Sequence, residues 1–144
     1  MKIIDFEYKH ITEVVNIEFS SFSYDVWDRE EFSSQIEEDT NYCRVVIIEN
    51  RVVAFMIVSF VTENVELLNI ATHKNFRKKG IAKLLMYDLL SFSKKIYAEK
   101  ILLEVKRENI PAINFYKKYN FIKISERNNY YSDGSDADIM MLKL

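Results

Sequence analysis

The sequence predicts a mixed α/β protein in which helices pack on one sheet. Two β-branched and aromatic runs, CRVVIIEN and VVAFMIVSFV, are separated by a polar turn, as in an antiparallel hairpin. The segment GIAKLLMYDLLSFSKKIY places apolar residues at steps of three and four, which is typical of an amphipathic helix. A third observation is that strand-like and helix-like segments alternate from there to the C-terminus. Together these patterns favour helices packed against a sheet.

Two helices are predicted ahead of the hairpin. In ITEVVNIEF (Ile11–Phe19) apolar residues recur at helical spacing. After a loop that contains Trp27, Asp28 can cap a second helix, with Glu31 three positions later as an aspartate variant of the capping box. The hairpin then begins at Cys43.

The rest of the chain adds strands and two further helices. The run VELLNIAT predicts a third strand, ILLEVK (Ile101–Lys106) follows the amphipathic helix as a short buried strand, and FIKISERNNYY and ADIMMLKL form a last hairpin around Gly134. Asn109 and Pro111 fit a helix start, because proline in the first turn loses no hydrogen bond. The predicted order is ααβββαβαββ, in one domain spanning residues 1–144.

Composition and charge restrict the possible functions. Hydrophobic residues make up 49% and charged residues 29%, the balance of a globular protein rather than a disordered one. A formal net charge of −2 gives no general attraction to nucleic acid or to an anionic membrane. The single Cys43 excludes an internal disulfide, and with only two histidines no metal-ligand spacing exists. Lacking a signal peptide and an apolar run near 20 residues, the chain is expected to be cytoplasmic, with no membrane partner, no specific nucleic-acid partner and no metal.

The loop before the amphipathic helix contains one of only two glycines in the chain. A helix N-terminus carries unpaired N–H groups and about half a positive charge, so it binds anions. Gly80 has no Cβ and would let a pyrophosphate approach the main chain, while Arg77, Lys78 and Lys79 would add positive charge. From these residues alone, an anion site and a solvated basic turn are equally good interpretations.

This loop, Arg77-Lys78-Lys79-Gly80-Ile81-Ala82, resembles the pyrophosphate-binding motif Q/R-x-x-G-x-G/A of the GCN5-related N-acetyltransferases, the GNAT family. LLNIAT is similar to the family's L-x-N-I-A-V strand, and LEVKRENIPAINFYKKYNF to its L-E-V-R-x-x-N-x-x-A-x-x-L-Y-x-x-x-G-F segment. ERNNYYSDGSDADIMML further resembles the ending R-x-x-Y-Y-x-x-x-x-x-D-A-x-x-M of the RimI-type ribosomal-protein-alanine N-acetyltransferases. One departure is Asn120 in place of the glycine of the G-F pair, although asparagine tolerates the left-handed backbone that ends many helices.

The resemblance implies the acyl-CoA N-acyltransferase fold and acetyl-CoA as cofactor. In this fold a mixed, mostly antiparallel sheet is flanked by helices and splayed between the family's fourth and fifth strands. These correspond to VELLNIAT and ILLEVK, the third and fourth strands predicted here. Main-chain groups of Ile70, Ala71 and Thr72 would pair with the pantetheine arm and hold the acetyl oxygen. The further cofactor contacts implied by the resemblance are Asn109, which can also simply cap its helix, Tyr116, and the loop residues Arg77, Lys78, Lys79, Gly80, Ile81 and Ala82.

Two side chains match the catalytic positions of the family. Glu104 lies in the otherwise apolar strand ILLEVK, where desolvation makes a carboxylate a stronger base. The resemblance implies that Glu104 is the general base, acting directly or through water, although the residues alone favour an exposed carboxylate on an edge strand. Tyr116 matches the tyrosine that protonates the coenzyme A thiolate; its alternative role is core packing beside Phe115.

The acceptor side of the predicted site is aromatic. The resemblance implies that Tyr130 and Tyr131 line the groove for a substrate N-terminus, although ordinary hairpin packing fits them equally well. Phe22 and Trp27 are candidates for the opposite wall or for plugs of the core. The resulting hypothesis is an acetyl-CoA-dependent acetyltransferase that modifies a protein N-terminal α-amine, foremost the N-terminal alanine of a small-subunit ribosomal protein. The alternatives are a broad-specificity N-terminal or small-molecule amine acetyltransferase, and a non-catalytic CoA-binding regulatory module.

Overall fold

The predicted mixed α/β architecture is confirmed by the computed structural model, which describes residues 1–144 and contains a seven-stranded sheet with four helices. The helices are α1 (Ile11–Ser21), α2 (Arg29–Glu37), α3 (Ile81–Lys95) and α4 (Ile110–Lys118). The strands are β1 (Lys2–Asp5), β2 (Asn41–Ile48), β3 (Arg51–Val61), β4 (Asn64–Thr72), β5 (Lys100–Lys106), β6 (Ile122–Arg127) and β7 (Ala137–Lys143). None of the helices combines the length and the apolar character needed to cross a membrane.

The first strand is missing from the predicted order of elements. β1 has four residues and pairs antiparallel with β2, Ile3 opposite Val46. Its sequence, KIID, is too short to present an alternating pattern, and only pairing with β2 makes it a strand. The order is therefore βααβββαβαββ.

The predicted strand FIKISERNNYY is too long at its C-terminal end. β6 ends at Arg127, and Asn129 has φ +52°, a left-handed conformation that cannot continue an extended strand. Tyr130 and Tyr131 consequently lie in the loop between β6 and β7.

Three residues with a predicted local role at a helix end have the expected contact or backbone conformation. The Asp28 carboxylate accepts a hydrogen bond from Glu31 N at 2.9 Å at the start of α2. The Asn109 side chain accepts one from Ala112 N at 3.3 Å at the start of α4. Asn120 follows α4 with φ +70°, so asparagine does adopt the left-handed conformation at the position where the family has glycine.

The sheet has the order β1-β2-β3-β4-β5-β7-β6, and only β4 and β5 run parallel to each other. These two strands pair from Asn64–Leu67 to Lys100–Leu103 and then separate. Past that point Asn69–Thr72 stays paired with β3, and Glu104–Lys106 stays paired with β7. The expected splay between the fourth and fifth strands is confirmed, and it leaves an opening in the middle of the sheet.

The hydrophobic core lies on both faces of the sheet. One cluster packs α3 and α4 against β3, β4 and β5, with Leu85 and Leu89 fully buried in it. The other packs α1 and α2 against β2 and β3, with Phe32 and Phe55 fully buried. From Ala54 to Val58, neighbouring residues of β3 belong to opposite clusters because side chains alternate along a strand. Residues of α1 on one face, and of α3 and α4 on the other, lie at the opening between β4 and β5.

Candidate functional site

A cleft of about 1380 Å³ opens where β4 and β5 separate. Its walls come from α1, the loop between α1 and α2, β4, β5, the N-terminus of α3, α4 and the β6–β7 loop. Of the site residues predicted from the sequence, Lys79 alone lies outside the lining, with its ammonium 5.6 Å from the centre of the Phe76 ring. The predicted residues that line the cleft are Phe22, Trp27, Ile70, Ala71, Thr72, Arg77, Lys78, Gly80, Ile81, Ala82, Glu104, Asn109, Tyr116, Tyr130 and Tyr131.

The N-terminus of α3 forms one end of the cleft. Gly80 is the N-cap, with φ +81°, and the first hydrogen bond within the helix runs from Leu84 N to Gly80 O at 3.1 Å. The N–H groups of Ile81, Ala82 and Lys83 precede this bond and have no partner in the helix. No heavy atom lies within 4 Å of the place that a Cβ on Gly80 would occupy. The main chain at this end is therefore open to an anion, and glycine suits it through its backbone conformation.

Arg77 ties this loop to the end of β4. Its Nε donates to Thr72 O at 3.1 Å, and a terminal guanidinium nitrogen donates to Ser21 Oγ at 3.3 Å. Lys78 has a left-handed backbone, with φ +62°. Arg77 thus holds the loop in place in addition to adding positive charge at the cleft.

One edge of β4 faces the cleft without a partner strand. Ile70, Ala71 and Thr72 pair with β3 on one side, and the pairing with β5 has already ended at Leu67. The register with β3 shifts at this point, which leaves Leu68 as an extra residue in β4 and bends the strand. The open edge offers main-chain N–H and C=O groups to an extended ligand.

Glu104 lies in an interior strand, not in the edge strand that the residues alone favoured. β5 stands between β4 and β7, and Glu104 is opposite Ile139 of β7. The carboxylate is 28% exposed and forms an ion pair with Arg127 Nε at 3.1 Å. The Glu104 carboxylate lies beside the Tyr130 hydroxyl and is the main cause of a raised pKa of Tyr130, and partial burial of Tyr130 is the second cause. Glu104 is thus a carboxylate at the cleft wall, held between a guanidinium and a phenol.

Tyr116 both packs in the core and lines the cleft. The residue is buried, and its ring lies 5.6 Å from Phe115 and 5.8 Å from Phe121, centre to centre. Burial raises the pKa of the Tyr116 hydroxyl above its ordinary value, and the nearby Tyr24 adds to the effect. The hydroxyl therefore keeps its proton at neutral pH and is available as a proton donor.

Two loops meet at the other end of the cleft. Tyr24 of the α1–α2 loop and Tyr131 of the β6–β7 loop stack edge to face, with ring centres 5.0 Å apart. Ser132 N donates to the Asp25 carboxylate at 3.1 Å, and the Lys106 ammonium lies 4.1 Å from the centre of the Tyr24 ring. The aromatic end of the cleft is thus bounded by two loops in direct contact. Their aromatic residues were predicted only in part, since Tyr24 was not among them.

Two more residues complete this wall. Trp27 lines the cleft and also packs on Phe32 in the core, with ring centres 5.3 Å apart. Its contact with an acceptor stays a prediction. Glu18, in α1, is a buried carboxylate that lines the cleft, and no motif in the sequence marks it. The available signal was its spacing: it stands four residues after Val14, on the apolar face of the helix.

The comparisons with known proteins agree with this arrangement. The family model for the Acetyltransferase (GNAT) family matches residues 11–121. An N-alpha-acetyltransferase of Sulfolobus acidocaldarius is 40% identical over 79 residues, which are 54% of this chain and 47% of that protein. The [ribosomal protein bS18]-alanine N-acetyltransferase of Escherichia coli is 30% identical over 122 residues, 82% of this chain and 81% of that protein. The crystal structure of Ard1 from Thermoplasma volcanium superposes with a TM-score of 0.93 at 29% identity, over 99% of this chain and 97% of that one. The match spans only about half the length of the Sulfolobus relative.

Proposed function

Because the chain belongs to the GNAT acetyltransferase family, we propose that it is an acetyl-CoA-dependent enzyme that acetylates the N-terminal α-amine of a protein. The observation that carries this proposal is the separation of β4 from β5. It gives one cleft an open strand edge, a helix N-terminus, a carboxylate and a buried tyrosine. These are the elements that acetyl transfer to an amine requires.

The residues at the cleft fit acetyl-CoA. The unpaired N–H groups of Ile81, Ala82 and Lys83 suit a pyrophosphate, and Arg77 and Lys78 supply positive charge beside them. The open edge of β4 suits the amides of a pantetheine arm. Bound acetyl-CoA supplies an acetyl thioester, whose carbonyl oxygen a backbone N–H of this edge would stabilise as negative charge develops.

Glu104 and Tyr116 are proposed to move the two protons. A protein α-amino group has a pKa of about 7.7–8.0, so part of it is already neutral at pH 7 and a modest base suffices. Glu104 takes a proton from the nitrogen of the acceptor amine. This nitrogen forms an amide bond with the acetyl carbonyl carbon, and the carbon–sulfur bond of the thioester breaks. Tyr116 gives its proton to the departing thiolate, so that free CoA leaves as a thiol.

The proposed acceptor is the N-terminal alanine of a small-subunit ribosomal protein, and the proposed location is therefore the cytoplasm. Support comes from the Escherichia coli relative, which covers most of this chain and is named for that reaction. Contact between the α1–α2 and β6–β7 loops bounds the acceptor end of the cleft, which suits a chain terminus better than a lysine within a folded surface. Broader N-terminal specificity is the second candidate, because the name of the Sulfolobus relative, N-alpha-acetyltransferase, specifies no particular acceptor.

A peptide panel tests this proposal. The protein is incubated with labelled acetyl-CoA and with peptides that differ in their first two residues, alongside N-terminally blocked peptides that contain lysine. We expect label on free N-termini, with alanine preferred. Label on lysine side chains alone would contradict the acceptor proposal. Binding of acetyl-CoA without any transfer would instead favour the regulatory module.

Exchange of glycine for alanine at position 80 should weaken acetyl-CoA binding. An L-residue at this positive φ costs roughly 1–2 kcal/mol in stability, and the new methyl group would stand where the pyrophosphate approaches. We expect the dissociation constant for acetyl-CoA, measured by calorimetry, to rise about tenfold, which is about 1.4 kcal/mol.

Gly134→Ala is the matched control for this prediction. Gly134 also has a positive φ, +84°, and no heavy atom within 4 Å of the place that a Cβ would occupy, but it lies in the β6–β7 loop. Both variants should lose similar stability in thermal unfolding, and only Gly80→Ala should lose affinity. Equal acetyl-CoA affinities in the two variants would place the pyrophosphate elsewhere.

A further inference from the structure

Glu18 is a buried charge-bearing side chain that the proposed chemistry does not use. It lies in the last half of α1, is 2% exposed and lines the cleft. Carboxylates are rarely buried unless hydrogen bonds compensate for the lost hydration. Glu18 has two such bonds, from Trp27 N to Oε2 at 2.9 Å and from Asn69 Nδ2 to Oε1 at 3.0 Å.

The two donors belong to opposite parts of the proposed site. Trp27 ends the α1–α2 loop, whose Phe22 and Tyr24 stand on the acceptor side of the cleft. Asn69 lies in β4 directly before Ile70, in the part of the strand that has separated from β5. A single carboxylate therefore connects the acceptor wall to the strand edge proposed to hold the thioester.

The fold does not depend on this connection alone. α1 is held to the sheet by the buried side chains of Ile11, Val14 and Ile17, and α2 by that of Phe32. The loop between them has no comparable set of buried aliphatic side chains, and its backbone is fixed at Trp27 by Glu18. Loss of the Glu18 carboxylate would thus free the Trp27 backbone from its link to β4 while the two helices stay packed. The contacts that Tyr24 and Asp25 make with the β6–β7 loop would remain.

We propose that Glu18 is a positioning residue for acetyl transfer: it holds the α1–α2 loop against β4 and so sets the place of the acceptor relative to the thioester. This inference rests on the proposed function. Burial raises the pKa of Glu18, and the hydrogen bonds from Trp27 and Asn69 act in the opposite direction by stabilising the charged carboxylate.

Three variants and a control test the role. Glu18→Ala removes both hydrogen bonds. Glu18→Gln can keep them, because its amide oxygen accepts from Trp27 N and its NH₂ group donates to the Asn69 oxygen after that amide turns over. Asn69→Ala removes one bond without touching α1. Glu13→Ala is the matched control, since Glu13 is also on α1 and accepts from Val52 N at 2.8 Å, outside the cleft.

We expect Glu18→Ala to raise the KM for the acceptor peptide about tenfold or more, with the dissociation constant for acetyl-CoA unchanged within about twofold. Asn69→Ala should shift the same KM in the same direction by less, and it serves as the test if Glu18→Ala does not fold. Glu18→Gln should return close to the wild-type KM, and Glu13→Ala should alter thermal stability with no change in this KM.

Trp27 gives a readout that needs no turnover, because it is the one tryptophan of the chain. Its fluorescence should shift to longer wavelength and be quenched more readily by acrylamide in Glu18→Ala, and less so in Glu18→Gln. If the wild-type protein transfers no acetyl group, the proposed function is refuted. The fluorescence of Trp27 still tests the contact between Glu18 and the α1–α2 loop in that case. The positioning role would be overturned if Glu18→Ala kept both the fluorescence and the acceptor KM of the wild type. It would also be overturned if Glu18→Gln were as impaired as Glu18→Ala.

Discussion

Replacement of Glu104 by glutamine should lower kcat by roughly 10²-fold or more, the usual contribution of a positioned general base. Glutamine has nearly the same shape and keeps an oxygen for Arg127, but it cannot take a proton from the acceptor amine. Acetyl-CoA should bind as before, because Glu104 lies on β5, across the opening from the β4 edge and the helix N-terminus. Steady-state kinetics with an acceptor peptide and calorimetry with acetyl-CoA measure the two effects separately.

Glu108→Gln is the control for loss of a nearby carboxylate. Glu108 follows β5 by two residues and does not line the cleft, so its replacement should leave kcat unchanged. Wild-type turnover in Glu104→Gln would refute the assignment of Glu104 as the base. Turnover lost together with acetyl-CoA binding would show that Glu104 acts on the cofactor.

Tyr116→Phe should reduce kcat by roughly 10²-fold through loss of the proton donor. The phenyl ring keeps its packing against Phe115 and Phe121, so the melting temperature should change little. Unprotonated thiolate is a poorer leaving group at the tetrahedral carbon than a thiol, and the variant must rely on water for the proton. Rapid-quench measurement of a single turnover reports this chemical step directly.

The pH profile provides a second test of Tyr116. An ordinary tyrosine loses its proton near pH 10, and kcat would fall above that pH if it were the donor. Burial raises the pKa of Tyr116, so the neutral, donating form persists to higher pH. The rate should rise as the acceptor amine deprotonates and then stay level to at least about pH 10. A fall in kcat that begins well below pH 10 and disappears in Tyr116→Phe would contradict the raised pKa of Tyr116. Wild-type kcat in Tyr116→Phe would contradict its role as the proton donor. Tyr87→Phe, on the exposed side of α3, should behave as wild type.

Local signals in the sequence predicted much of the fold. The Asp28 cap, the Asn109 cap and the apolar spacing of α3 depend on neighbours a few residues away, and each is found as expected. β1 depends on β2, 39 to 45 residues further along the chain, so its four residues carried no signal of their own. The end of β6 was misplaced for a related reason, since the left-handed Asn129 stops a run whose side chains still favour a strand.

The site was predictable where a motif marks the residues, and less so where only the fold brings them together. The resemblance to GNAT enzymes drew attention to Gly80, Glu104 and Tyr116, which the structure brings to one cleft. Their catalytic and binding roles stay predictions until tested. Glu18 and Asn69 are 51 residues apart, and neither segment has a sequence pattern that predicts the contact between their side chains. The contact exists because α1 packs across the sheet beside the point at which β4 bends.

The short parallel pairing of β4 with β5 has a consequence for how the protein responds to its cofactor. β1 to β4 and β5 to β7 meet through four residue pairs, and a ligand lying in the opening would join the two half-sheets along the length where they do not touch. A ligand that binds only the folded protein adds about 2.7 kcal/mol to the free energy of unfolding at a concentration one hundred times its dissociation constant. Backbone amides beside the opening should then exchange with deuterium more slowly, and resistance to heat should rise with the supply of acetyl donor.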